Sequence, residues 1–360
     1  MDKQAFQTLV DGANAHLKPA NRHQLVGSTG GGKPRFEVYH SAPSLCSHKV
    51  RTVLAEKQLA YMSHDMQIMP IGKAIPQNYR PGYVRMRMLG APGAAFASGY
   101  TGASSVETEG FDPCVVPTLV DHEKLQVVVD SARICDYLES ECDSGTTLVP
   151  AGMEAEIKAQ IDIIDRAPHV AALYGANPDG DTRPPGLAGR IEGVQERKNR
   201  CLRAMMAEVP DDEELQAAYQ AKIAKEEGSD TFVHTPEKMR EAYAAMAVHA
   251  QDLENQLSSH DGDWAFGDAF TMADVMWTCS LYRVKWLGLA DSWEQGGGLP
   301  RVADYVKRAF SRPSFQQAVV AWPRAYAPSP HFPESDSPGK HFEFARRMFT
   351  GVSMREALFG

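Results

Sequence analysis

Several features that would place this chain of 360 residues in a specialised class are absent. No apolar run approaches the roughly 18 residues that a membrane-spanning helix requires. The first residues, Met1-Asp2-Lys3-Gln4, contain no apolar core of the kind found in secretory signals. Positive charge is not in excess either, because the formal net charge is −9. We therefore expect a cytoplasmic protein with no membrane and no nucleic acid among its partners.

Metal-binding patterns are missing as well. The six cysteines, at positions 46, 114, 135, 142, 201 and 279, include no pair with Cys-x-x-Cys spacing, and no histidines cluster at zinc-ligand spacing. We therefore predict no metal site and, without a secretory signal, reduced thiols. What remains is an ordinary globular composition, with 43% hydrophobic and 23% charged residues, and a length sufficient for two domains.

Residues 1–34 are predicted to be an N-terminal extension that ends in a linker. The linker, Gly27–Pro34, nearly matches the phosphate-binding pattern G-x-x-x-x-G-K-[ST]. However, Pro34 replaces the hydroxyl that would hold Mg²⁺, and no strand is predicted before the loop. A flexible linker is therefore the preferred interpretation.

Two different patterns divide the rest of the chain. Residues 35–145 alternate strand and helix, with strands predicted at Phe36–His40, Tyr61–Ile68, Val115–Val120 and Val127–Val129. Residues 151–325 contain no convincing strand ladder. Helices are predicted there at 154–166, 191–207, 213–227, 236–257, 272–287 and 302–311. The predicted fold class is α/β plus all-α, and residues 326–360 form a C-terminal tail.

Cys46 is the most informative side chain of the α/β half. It lies where the first strand gives way to a helix predicted at about Cys46–Gln58, close to Lys49 and Arg51. Unpaired N–H groups at a helix N-terminus and nearby positive charge both favour a thiolate. A buried, inert thiol is the alternative. Cys46 is therefore a candidate catalytic residue for nucleophilic or redox chemistry.

Four motifs together resemble the glutathione transferase superfamily. They are Ser44 and Cys46 after the first strand, Val116-Pro117 at the third, Asp130-Ser131 before a helix, and a capping box at Thr271–Asp274. The resemblance covers most of residues 35–325. It implies an N-terminal thioredoxin-like domain that binds glutathione, followed by an all-helical substrate domain. It also implies a homodimer.

Further motifs are similar to those of bacterial glutathione-dependent reductive dehalogenases of chlorinated hydroquinones. They include Ser44-x-Cys46-Ser47-x-Lys49, Pro168-His169-Val170 and Trp286-Leu287-Gly288. The resemblance implies a reaction in two stages. Glutathione thiolate first displaces halide from a keto tautomer of the substrate. Cys46 then attacks the sulfur of the aryl–glutathione conjugate, which releases the reduced aromatic and leaves a mixed disulfide that a second glutathione resolves.

The same resemblance implies roles for other residues of this half. Ser44 would hydrogen-bond the glutathione sulfur, although a turn or cap serine explains the residue equally well. Pro117 would form a cis peptide bond that lets the Val116 backbone bind the cysteinyl unit. Asp130 and Ser131 would hold the γ-glutamyl end, and the same groups would also cap a helix.

Four residues of the helical half are candidates for contact with an aromatic substrate: His169, Tyr174, Tyr282 and Trp286. Packing is the competing explanation, because aromatic residues four apart on a helix commonly belong to a core. The expected activity is glutathione-dependent reductive dehalogenation of halogenated hydroquinones or phenols, with glutathione as co-substrate. Two alternatives stay open: a glutathione transferase or lyase acting on an aryl ether or another electrophilic aromatic, and a non-catalytic module of similar fold.

Overall fold

A computed structural model of the chain describes residues 1–17, 22–103, 106–294 and 296–332. The strands are β1 (His23–Val26), β2 (Phe36–His40), β3 (Tyr61–Asp65), β4 (Thr118–Asp121) and β5 (Gln126–Val129). The helices are α1 (Lys3–Asn14), α2 (Leu45–Glu56), α3 (Pro81–Met88), α4 (Val106–Glu109), α5 (Ser131–Glu141), α6 (Glu154–Arg166), α7 (His169–Tyr174), α8 (Leu187–Ile191), α9 (Val194–Glu208), α10 (Glu213–Val233), α11 (Pro236–Ser258), α12 (Met272–Trp286), α13 (Pro300–Ser311) and α14 (Pro313–Phe315). Among the described residues, no helix has both the length and the apolar character needed to cross a bilayer.

The strands form one mixed sheet with the order β1-β3-β2-β4-β5. β2 and β3 are parallel and joined by α2, whereas the other neighbouring pairs are antiparallel. This is the thioredoxin-like half that the sequence predicts. The strand predicted to begin at Val115 begins at Thr118 instead, because Pro117 has no N–H to contribute to a ladder. The strand predicted to reach Ile68 ends at Asp65.

The N-terminal segment is part of the folded structure. Phe6 and Val10 of α1 are buried, and the helix packs against α3. The two backbones approach so closely that a Cβ at Gly82 would overlap the carbonyl oxygen of Gly12. β1 pairs antiparallel with β3 and was not predicted, because two of its four residues are exposed, the other two are only partly buried, and no clear apolar alternation marks them.

The glycine-rich segment 27–34 connects β1 to β2. A strand therefore precedes it, which corrects the prediction that none does. A second strand follows it, whereas a phosphate-binding loop opens a helix. The position of the segment between two strands of one sheet agrees with the predicted role of a linker.

One buried helix of the helical half, α12, packs against α2, the helix that carries Cys46. The predicted capping box is confirmed, because the Thr271 side chain accepts a hydrogen bond from the Asp274 backbone N–H and the Asp274 carboxylate accepts one from Thr271 N at 2.8 Å. α12, which begins there, is buried along most of its length and packs against α2 and α6.

The predicted helix that ended at Glu227 continues to Val233. The predicted domain boundaries stay predictions, and residues 333–360 of the predicted tail lie outside the described residues.

Buried histidines make this fold sensitive to acid. Arg51 donates a hydrogen bond to Nδ1 of His40 at 3.0 Å, so this nitrogen must be unprotonated. Burial, reinforced by Arg51, lowers the pKa of His40 from 6.5 to about 3. Burial, reinforced by Lys49, lowers the pKa of His249 from 6.5 to about 4. Both rings are therefore neutral in the folded protein at neutral pH.

We expect the free energy of unfolding to fall as the pH is lowered through the window from about 6.5 to about 4. In this window the unfolded chain binds protons at these histidines and the folded chain does not, so protonation favours unfolding. Urea denaturation at several pH values measures the slope. His249→Gln should make it shallower. A slope identical to that of the wild type would contradict the expectation.

Candidate active site

Two candidate residues lie where β2 leads into α2. Ser44 is the N-cap of α2, and its hydroxyl accepts a hydrogen bond from Ser47 N at 3.3 Å. The helix begins at Leu45, so Cys46 lies in the first turn, where N–H groups lack intrahelical partners. Cys46 is partly exposed. The structure confirms this helix-start position and the cap; a contact of Ser44 with glutathione sulfur stays a prediction.

Lys49, one turn further along α2, is a buried cation close to Cys46. Its Nζ lies 2.6 Å from Asp165 on α6. Burial opposes the charge, but the attraction of Asp165 and then of Cys46 outweighs it, and the pKa of Lys49 is raised. Arg51 is engaged elsewhere, because its Nε donates to Ala318 O at 2.8 Å. Lys49 is therefore a cation of α2 that interacts electrostatically with Cys46.

The Val116–Pro117 peptide bond is cis, as the family resemblance implies. A buried guanidinium holds the loop around it. Arg87 of α3 donates to Pro117 O at 2.6 Å, to Thr118 Oγ1 at 2.9 Å and to Asp112 O at 3.0 Å. These bonds satisfy carbonyl groups next to the cis bond and fix the direction of the Val116 backbone.

Asp130 and Ser131 lie at the start of α5. Asp130 has a φ of +74° and caps the helix through its carboxylate, which accepts bonds from Ala132 N at 3.0 Å and Arg133 N at 3.4 Å. Burial, together with the negative charge of Asp165, raises the pKa of this carboxyl. The capping role is confirmed. Binding of a γ-glutamyl group stays a prediction.

One cavity of about 760 Å³ lies between the two halves of the molecule and brings most candidates together. Nine of the ten predicted site residues line it: Ser44, Cys46, Val116, Pro117, Asp130, Ser131, His169, Tyr174 and Trp286. The first six are contributed by the thioredoxin-like half and the last three by the helical half. Cys46 therefore lines the same cavity as both groups of predicted ligand contacts.

Tyr282 is the candidate that the structure does not place in this lining. It is 2% exposed and lies in an aromatic cluster. The rings that surround it, with centroids 5.0–5.2 Å away, are those of Phe310, Phe315, Tyr326 and Phe332. Packing explains this residue, whereas Trp286, one turn along α12, reaches the cavity.

His169 is connected to a second buried histidine through a hydroxyl. Ser280 Oγ lies 3.0 Å from His169 Nε2 and 2.9 Å from His249 Nε2. A hydroxyl has one hydrogen, so Ser280 donates to one ring and accepts from the other. The Nδ1 of His169 is buried and has no hydrogen-bond partner among the described residues. Burial, with His249 nearby, keeps the pKa of His169 well below 6.5, so the ring is neutral.

The segment after α14 closes one side of the cavity and is held there by polar contacts. Trp286 Nε1 donates to Ala327 O at 2.9 Å. Arg283 donates to Tyr326 Oη at 3.1 Å and to Pro43 O at 2.6 Å, next to the loop of Ser44. Part of the predicted C-terminal tail is therefore a wall of the candidate site.

Sequence reasoning missed the basic residues that line the cavity. They come from five helices and the C-terminal segment: Arg87, Arg190, Lys198, Lys222, Lys225, Arg283 and Arg324. No spacing along one chain relates positions so far apart. The local signal that could have found one of them is a charge in an apolar stretch, as with Arg87 between Met86 and Met88.

Comparison with known proteins agrees with this geometry. The family model described as Glutathione S-transferase, N-terminal domain, matches residues 43–141, and that described as Glutathione S-transferase, C-terminal domain, matches residues 236–308. Among solved structures, beta-etherase LigF from Sphingobium sp. strain SYK-6 has a TM-score of 0.50 at 16% identity, covering 79% of this chain and 98% of that one. This last likeness is one of fold.

Two relatives are also similar over most of their length. The 2,5-dichlorohydroquinone reductive dechlorinase of Sphingobium indicum is 43% identical over 295 residues, covering 81% of this chain and 84% of that protein. The tetrachloro-p-hydroquinone reductive dehalogenase of Sphingobium chlorophenolicum is 27% identical over 296 residues, covering 80% of this chain and 96% of that protein. With the sheet, the cis-proline loop and the helical half described above, these matches show that the chain belongs to the glutathione S-transferase family.

Proposed function

We propose that the protein is a glutathione-dependent reductive dehalogenase of halogenated hydroquinones or related phenols. The observation that carries the proposal is the position of Cys46, a partly exposed thiol in the first turn of α2, inside the cavity that Val116, Asp130 and Ser131 also line. The 43% identity to a dichlorohydroquinone dechlorinase supports the same chemistry.

The thioredoxin-like half has groups that suit glutathione. The cis bond before Pro117 fits a backbone that offers the N–H and C=O of Val116 to a cysteinyl unit. The Ser131 hydroxyl and the N-terminus of α5 suit a carboxylate, and the Asp130 carboxylate suits an ammonium group. The two ends of the γ-glutamyl unit thus have complementary partners on adjacent residues.

Cys46 acts in the second stage of the proposed reaction. In the first stage, carbon–sulfur bond formation between the keto tautomer and glutathione expels halide. The Cys46 thiolate then attacks the sulfur of this conjugate, so that a sulfur–sulfur bond forms, the carbon–sulfur bond breaks, and the ring carbon takes a proton. Thiolate from a second glutathione attacks the mixed disulfide and returns Cys46. Per halide released, two glutathione molecules are oxidised to one disulfide and the ring is reduced by two electrons.

Tautomerisation of the substrate needs a group that moves a proton from a hydroxyl to a ring carbon. We assign this task to the helical side of the cavity. His169 suits this role, because its ring is neutral, lines the cavity, and is connected through Ser280 to His249. A neutral imidazole can accept a hydroxyl proton and return it to a ring carbon. Arg283, which also lines the cavity, suits the stabilisation of a developing phenolate oxygen.

The proposed function predicts chloride release from 2,5-dichlorohydroquinone by the purified protein with glutathione. Chloride and oxidised glutathione should appear in a ratio of about one to one, since each turnover uses two thiols. An ion-selective electrode and chromatography of the thiols measure the two products. The matched control omits the protein, and a second omits glutathione. The absence of turnover across a panel of halogenated hydroquinones and phenols would overturn the proposal.

Two further properties belong to the same proposal. A homodimer is expected because of membership in the glutathione S-transferase family. A cytoplasmic location is supported by the cysteines at 46, 114, 135, 142, 201 and 279, none of which forms a disulfide with another. Reduced thiols are the normal state in a cytoplasm.

A further inference from the structure

The wall of the cavity formed by α9 and α10 has buried charges that the proposed reaction does not use. Lys222 Nζ lies 2.8 Å from Asp112 Oδ2 and 2.8 Å from Glu226 Oε1. Lys198 Nζ lies 3.0 Å from Glu226 Oε2. All four side chains are at most 8% exposed and line the cavity. Such charges are costly to bury unless they are paired, and here they are.

A third lysine completes the charge balance of this wall. Lys225 Nζ lies 2.7 Å from Glu109 and 3.4 Å from Asp112. We call the six residues the lysine cluster: Lys198, Lys222, Lys225, Glu109, Asp112 and Glu226. With three cations and three carboxylates it is neutral. A ligand group that adds a negative charge would disturb this balance in a poorly solvated place, whereas a hydroxyl would preserve it.

Lys198 is the member of the lysine cluster that also contacts a hydroxyl of the cavity lining. Lys222 and Lys225 each contact two carboxylates, and Lys198, among the described residues, contacts one carboxylate. Its second polar neighbour is the hydroxyl of Tyr174, at 3.4 Å. An ammonium group has three N–H donors, so Lys198 can donate once more, to a ligand oxygen beside Tyr174.

Tyr174 contributes a hydroxyl to the cavity lining beside Lys198. It is partly buried, and its ring lies under Lys198 with Nζ 4.5 Å from the centroid. Its hydroxyl lies 3.9 Å from the sulfur of Met69, which also lines the cavity. The helices α7 and α8 contribute four apolar residues to the lining, Val170, Leu173, Leu187 and Ile191, and α8 also contributes Arg190. Apolar side chains next to a hydroxyl and an ammonium group fit an aromatic ring that carries an oxygen at the end nearest Tyr174 and Lys198.

We propose that Lys198 and Tyr174 bind the second hydroxyl of the substrate, the one across the ring from the reacting end, and thereby select 1,4-dihydroxylated rings over rings with one hydroxyl. The inference rests on the proposed function and names its substrate class. A site that hydrogen-bonds a substrate hydroxyl rejects the analogue without it, because the buried donors of the site are then left without a partner.

The test uses ligands that cannot lose halide, so it does not depend on turnover. Dissociation constants of 2,5-dimethylhydroquinone and 2,5-dimethylphenol are measured by calorimetry under nitrogen on glutathione-saturated protein. The wild type should bind the hydroquinone at least about tenfold more tightly. In Tyr174→Phe and Lys198→Met this ratio should fall to less than about threefold, through weaker binding of the hydroquinone alone. Lys158→Met is the matched control, because Lys158 is 59% exposed and does not line the cavity, and its ratio should stay at the wild-type value.

Two results would overturn the inference and leave the proposed function intact. One is a ratio of the two dissociation constants near one in the wild type, or an undiminished ratio in Tyr174→Phe. The Tyr174→Phe variant keeps the aromatic ring and should therefore fold. The other is weaker binding of glutathione in both variants with an unchanged ratio, which would assign the two residues to the glycyl carboxylate of glutathione. Failure of the proposed function would appear separately, as an absence of chloride release by the wild type.

Discussion

Replacing Cys46 with serine is expected to stop dehalogenation at the aryl–glutathione conjugate and to lower formation of the reduced aromatic by about 10³-fold or more. A serine hydroxyl in the first turn of α2 keeps the shape of the site but is not ionised near neutral pH, so it cannot attack the sulfur of the conjugate. Halide should still leave once per conjugate formed, because glutathione supplies the thiolate for that stage.

Mass spectrometry of the reaction mixture detects the conjugate directly. Cys201→Ser is the matched control, because Cys201 on α9 is also partly exposed but does not line the cavity. It should behave as the wild type does. If Cys46→Ser yields the same products at the same rate, Cys46 is not the acceptor of glutathione sulfur. The alternative of a transferase or lyase acting on an ether or another electrophile would then be favoured.

Replacing Lys222 with methionine is expected to lower the free energy of unfolding by about 3–5 kcal/mol. The lysine is paired with two buried carboxylates, one in the loop before the cis-proline and one on its own helix. Without it, Asp112 and Glu226 remain buried with too little positive charge. Because Asp112 belongs to the thioredoxin-like half and Lys222 to the helical half, the loss should also loosen the contact between them.

Urea denaturation of the wild type and the variant measures this effect. Lys158→Met is the matched control, because Lys158 forms an equally short ion pair with Asp162, at 2.7 Å, but is 59% exposed. Water and salt screen such a pair, so its loss should cost less than about 1 kcal/mol. Equal losses in the two variants would show that burial does not determine the strength of the Lys222 pairs.

Local patterns were sufficient to predict most of the architecture. Apolar periodicity marked the helices of the second half, and the turn residues around Ser44 and Asp130 marked the starts of α2 and α5. β1 was not predicted, because a short edge strand with two partly exposed apolar residues is held by its pairing with β3 and not by its own pattern.

The site was predictable only where a motif is continuous along the chain. Cys46, Val116-Pro117 and Asp130-Ser131 are such motifs. Tyr282 and Trp286 lie one turn apart on α12, yet one packs in the core and the other reaches the cavity. Their surroundings come from segments that are distant in sequence, because the rings of Phe310 and Phe315 pack against Tyr282, whereas Ala327 accepts a hydrogen bond from Trp286. The lysine cluster depends on three segments brought together by folding.

The extra strand at the start of the chain has a consequence for how the protein behaves in a crowded solution. β1 covers the backbone groups of β3 from the pair His23–His64 to the pair Val26–Tyr61. An uncovered strand edge is a template on which other chains can add strands and aggregate. A shortened chain beginning at Arg35 would present that open edge to its neighbours. Residues that take no part in the proposed chemistry thus protect one edge of β3 from edge-to-edge aggregation.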